Sequence, residues 1–104
     1  MSSNNMFSMV KSVVLSVLNG EDLPRYGVRA YGLMLRFLSR FYSILAMSEY
    51  HLEAFYVGTM LDIVNDAVYK KRRYVYPRET KLLRRFLEYD FEDLAAQMSG
   101  FFNG

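Results

Sequence analysis

Cysteine and tryptophan are absent from this 104-residue chain, and histidine occurs once, as His51. Without cysteine there is no disulfide framework and no thiolate chemistry, a pattern that fits a reducing compartment. One histidine is too few for the ordinary zinc ligand sets. Asp62 and Asp66 share a helical face with His51, yet that helix supplies no fourth protein ligand for a divalent ion. No Ser–His–Asp arrangement, phosphate-binding loop or dinucleotide fingerprint can be traced. The chain is therefore expected to be no enzyme, with no cofactor and no metal. Long apolar runs are missing too. Nothing approaches the roughly 18 residues of a membrane span, and the apolar residues after Met1–Asn5 are interrupted by Ser8, Lys11, Ser12 and Ser16, unlike a signal-peptide core. Ser2 in place of glycine excludes N-myristoylation. The expectation is a soluble, intracellular protein, cytoplasmic and, given Lys70-Lys71-Arg72-Arg73, able to enter the nucleus.

What the chain does have is apolar bulk. Hydrophobic residues make up 52%, with nine tyrosines and eight phenylalanines, enough to exclude intrinsic disorder. It is more than a small monomer easily hides, because small domains keep much of their surface in water. A homodimer or a bound partner is the expected remedy.

Periodicity predicts an all-α fold: a compact bundle of four to five helices in one domain spanning residues 1–104. Met6, Met9, Val10, Val13, Val14, Val17 and Leu18 repeat at steps of three and four and mark a first helix, stopped at Asn19-Gly20. Glu21-Asp22-Leu23-Pro24 reads as the start of a second helix reaching Ala46, with a break near Gly27 tolerated. Its apolar arc is Leu33, Met34, Phe37, Leu38, Phe41, Ile44 and Leu45. Ser48 is the expected N-cap of a third helix, antiparallel to the second, with Leu52, Phe55, Tyr56, Thr59, Met60, Ile63, Val64 and Ala67 inward. Tyr74-Val75-Tyr76 favours an extended segment before Pro77, which opens a fourth helix with Leu82, Leu83, Phe86 and Leu87 inward. Asp90 then caps a short final helix through Met98, and the acids Glu88, Glu92 and Asp93 around it read as helix-end charges.

Charge is arranged rather than scattered. Arg25, Arg29, Arg36 and Arg40 fall within about 60° of one another on a helix, a seam about 22 Å long. Guanidinium groups bind phosphates in forked geometry, so the seam reads as a polyanion track; the competing reading is an internal ion-pair row against Asp62 and Asp66. From Lys70 to Arg85 the net charge is +7, and from Phe86 onward only acids occur. The basic segment supplies Lys70, Lys71, Arg72, Arg73, Arg78, Lys81, Arg84 and Arg85, with Tyr74 and Tyr76 between the clusters as stacking candidates. Together with Arg36 and Arg40 these make up the candidate nucleic-acid site. Backbone binding is expected, RNA before DNA, because helical binders of A-form duplexes rest on phosphates rather than read bases. The alternatives are an adaptor for an acidic protein partner and a matrix-like peripheral protein on anionic lipid. A small, catalytically bare chain of this type suits a regulatory or accessory role such as viruses encode.

Overall fold

The computed structural model describes residues 3–69 and 77–100. Helix α1 spans Ser3–Leu18, α2 Val28–Met47, α3 His51–Val68, α4 Pro77–Arg85 and α5 Phe91–Gln97. A π-helical turn, Phe86–Asp90, joins α4 to α5 without a break. The architecture is thus three helices and one continuous helical run, all-α, with no strand among the described residues. Its radius of gyration is 12.8 Å, as expected for one domain of this length at about 13 Å.

Helices α2 and α3 form an antiparallel hairpin with the most extensive packing in the molecule, and α1 lies across both. The core is wholly apolar: among the described residues no charged or polar side chain is fully buried. Phe7, Val10, Val13, Val14 and Val17 of α1 meet Tyr31, Met34, Leu38, Phe41 and Leu45 of α2 and Ala54, Val57, Met60, Ile63, Val64 and Ala67 of α3. The helical run adds Leu83, Phe86, Leu87, Phe91, Leu94, Ala95 and Met98. The π turn explains that last set. In an unbroken α-helix Asp90 would follow Phe86 onto the inner face. Instead the Phe91 N–H reaches back five residues to the Phe86 carbonyl, so Phe91 turns inward and Glu88, Tyr89 and Asp90 stay exposed.

Two helices end in the same way. After α1, the Glu21 N–H bonds the Ser16 carbonyl at 2.8 Å and the Gly20 N–H bonds that of Val17 at 3.1 Å. After α2, the Tyr50 N–H bonds the Leu45 carbonyl at 2.9 Å and the Glu49 N–H bonds that of Ala46 at 3.4 Å. Both are Schellman motifs, which need a left-handed residue just past the helix. Gly20 supplies it at φ 70° without strain, whereas Glu49 adopts φ 65° with a side chain attached.

The structure corrects four boundary and facing expectations. Ser48 does not cap α3; it closes α2, the chain reverses at Glu49, and α3 starts at His51. Helix α2 starts at Val28 rather than Pro24, at the break foreseen near Gly27, because the Pro24 carbonyl that a helix would give to the Val28 N–H is taken by the Tyr31 hydroxyl and the Tyr26 N–H. Asp90 caps nothing and makes no side-chain cap bond, since the helix runs through it. Finally, Leu33, Leu52, Phe55 and Leu82 are exposed rather than inward. On α3 Met60, Ile63, Val64 and Ala67 are buried as expected, but Ala54 and Val57 join them in place of Leu52 and Phe55, which turns the buried face by about a fifth of a turn. Pro77 does open α4, but the expected extended segment at Tyr74–Tyr76 lies outside the described residues.

Replacing the strained residue should stabilise the fold. Glu49→Gly is expected to add about 1 kcal/mol and raise Tm by about 4–8 °C in thermal unfolding, and Gly20→Ala to subtract a similar amount; an unchanged or lower Tm for Glu49→Gly would show that Glu49 is not strained. Tyr31 predicts a pH effect. Burial of its hydroxyl, and then the neighbouring Tyr26, holds its pKa above the ordinary 10.0. The folded chain keeps this proton where the unfolded chain loses it, so the contribution is complete below the unfolded pKa and is lost as pH rises through the folded one. Denaturant midpoints measured from about pH 8 to about pH 11 should fall less steeply in Tyr31→Phe than in the unaltered chain, and parallel curves would exclude the effect.

Candidate functional site

The arginine seam is a surface feature. Arg29, Arg36 and Arg40 stand on the outer crest of α2, Arg25 lies in the connection before it, and all four are exposed. From Arg29 to Arg40 the crest is about 16 Å long, shorter than the expected 22 Å because α2 starts later. Arg25, Arg29 and Arg36 have no hydrogen-bonding or ion-pair partner among the described residues. The internal ion-pair row therefore does not form at Arg29 and Arg36. Asp62, its proposed counterpart, is itself exposed.

Arg36 and Arg40 line one side of an open groove of about 700 Å³, with Ser39 and Ser43; Asp62 and Asn65 of α3 line the other. Farther along the same α2–α3 seam a second groove, about 450 Å³, is bounded by Tyr42, His51, Phe55 and Gly58. Here the helices approach closely. A Cβ on residue 58 would lie 3.1 Å from Cε2 of Tyr42, so glycine lets that ring lie on the α3 backbone. No group of three or more His, Asp or Glu converges on a metal position among the described residues.

On the other side of α3 lies an apolar notch of about 120 Å³, lined by Leu52, Phe55, Tyr56 and Thr59 with Leu82 and Leu83 of α4. Helix α3 thus sits between α2 and α4. Lys81 and Arg85 are exposed on α4, a different element from the arginine crest of α2. Arg84 serves a different purpose. It is half-buried and donates a 3.0 Å hydrogen bond to the Leu18 carbonyl, satisfying an orphan acceptor in the last turn of α1 and placing a cation at that helix's negative end. Lys70, Lys71, Arg72, Arg73, Tyr74 and Tyr76 lie outside the described residues, as does the side chain of Arg78.

Sequence reasoning missed the exposure of Leu52, Phe55 and Leu82, which are 61%, 53% and 55% exposed. A signal was present: Ala54 and Gly58, four residues apart, put two small side chains on one side of the helix, which favours close helix approach and so marks the side facing α2. No helix among the described residues is long and apolar enough to cross a membrane. Comparison with protein-family models, with curated proteins and with solved structures finds no match to this chain.

Proposed function

We propose that the protein binds nucleic acid through its phosphate backbone, RNA in preference to DNA, with the α2 crest as the contact surface. The observation that supports this most is the exposure of Arg29 and Arg36 without any intramolecular partner among the described residues. A cation held by its own carboxylates has little to offer a phosphate; these two are available. They are arginines throughout, and a planar guanidinium takes two phosphate oxygens at once and loses hydration readily. The groove beside the crest is open and lined by Arg36, Ser39, Arg40 and Ser43, which suits contact with a sugar–phosphate surface better than capture of a single base. That geometry suits an A-form duplex, whose deep major groove admits no helix.

A protein partner is the second reading, favoured by the exposed Leu52, Phe55 and Leu82. Salt separates the two. Backbone binding through the crest arginines should weaken with salt at a log–log slope of about −0.7 to −0.9 per phosphate neutralised, whereas an apolar interface is nearly indifferent to salt. The experiment is a gel-shift series with duplex RNA, duplex DNA and single strands at several salt concentrations, using the unaltered chain and the Arg29→Glu/Arg36→Glu variant. The expected result is RNA binding that the double reversal abolishes without loss of helicity, because both side chains are exposed. RNA binding unchanged in the variant, or none by the unaltered chain at low salt, would exclude the reading.

A further inference from the structure

The helical run of residues 77–97 changes sign along its length. Its first half exposes Lys81 and Arg85, and its second half exposes Glu88, Asp90, Glu92 and Asp93. None of these six has an ion-pair partner among the described residues. The same outer surface carries two large apolar side chains that a monomer leaves in water: Leu82, 55% exposed, and Tyr89, 69% exposed. Leu82 also forms one wall of the apolar notch, where Leu52 and Phe55 are more than half exposed.

We infer that this face is occupied by a second copy of the chain, the two helical runs packed antiparallel about a two-fold axis. Charge complementarity selects that occupant. A helix that is basic in one half and acidic in the other is its own complement when reversed: Lys81 then faces the partner's Asp90 and Asp90 the partner's Lys81, with Arg85 close to the two-fold axis. A parallel pairing would set like charges against each other. The same reversal brings the partner's Tyr89 toward the Leu82 notch and, by symmetry, Tyr89 toward the partner's notch. An isologous interface makes each contact twice. A tyrosine is well suited to the position, since its ring fills an apolar recess while its hydroxyl stays wet at the rim. The cavity is open and almost purely apolar, as an unfilled half-site should be. This assignment does not rest on nucleic-acid binding, which uses the α2 crest, and a two-fold dimer carries two such crests.

The test is sedimentation equilibrium of the full chain without nucleic acid. The unaltered protein should be a reversible dimer. Tyr89→Ala should raise the dissociation constant at least tenfold with helicity retained. Two charge variants set the direction: Lys81→Glu/Arg85→Glu reverses the two exposed cations of the first half, and Asp90→Lys/Asp93→Lys makes its second half more basic. Each alone should be monomeric, and an equimolar mixture should form a one-to-one heterodimer. A monomer at every concentration overturns the inference. So does a dimer that Tyr89→Ala and both charge variants leave intact, since it must be built elsewhere, and so does a mixture that fails to associate, since the halves then do not face each other.

Discussion

The Phe91 ring holds the molecule together across its helices. It lies 5.9 Å from Phe7 of α1, 6.0 Å from Phe41 of α2 and 6.1 Å from Phe86 of its own run, centroid to centroid. Phe37 closes the cluster, 5.2 Å from Phe7 and 5.9 Å from Phe41. From Phe86 the contacts continue to Tyr56 of α3, 5.0 Å away and nearly parallel. Helices α1, α2, α3 and α5 and the π turn thus share one aromatic network, in tilted, edge-on and stacked arrangements that each add about 0.5–1.5 kcal/mol beyond area burial. The network depends on the π turn, which puts Phe91 rather than Asp90 on the inner face. A rare and costlier helical geometry is retained because the alternative is a buried carboxylate.

The surface follows from that joint. With Phe86, Leu87 and Phe91 committed inward, the run must show its other side, and that side holds Leu82, Tyr89 and the two charge blocks. Arg84 ties the run to α1 by bonding the Leu18 carbonyl at that helix's end. The hairpin is set differently, by small residues: Gly58 under Tyr42 and Ala54 on the inner face bring α3 close to α2. Close approach fills the inner face with small and branched side chains and leaves Phe55 and Leu52 outside. On the α2 crest, meanwhile, Arg29 and Arg36 have no ion-pair partner among the described residues, and the neighbouring Asp62 is exposed.

Much of this was legible in the residues. The all-α class, α1 with its Asn19-Gly20 stop, the antiparallel hairpin and the inward Leu83, Phe86 and Leu87 all follow from spacing alone. So did the arginine alignment, though not its exposure, because periodicity says which residues share a face and not which face meets the core. The errors have specific causes. Tyr31 reaches back seven residues to the Pro24 carbonyl, a tertiary contact that overrides a good local start signal. Glu49 occupies a left-handed position usually given to glycine, so nothing in Ser48-Glu49 announced that the chain turns there. The π turn shifts every later facing by a fraction of a turn, and no residue type marks it. Phe7 was overlooked because the valines and methionines around it gave a sufficient stripe without it.

Native-state hydrogen exchange on Phe91→Leu tests the aromatic joint most directly, because leucine keeps the position apolar while removing the ring. If Phe91 is what ties the run to the hairpin, amides of α4 and α5 lose protection by the larger amount, while those of α2 and α3 stay close to their original values. Equal loss throughout, or protection in α4 and α5 that survives the substitution, would contradict the account and place the joint elsewhere.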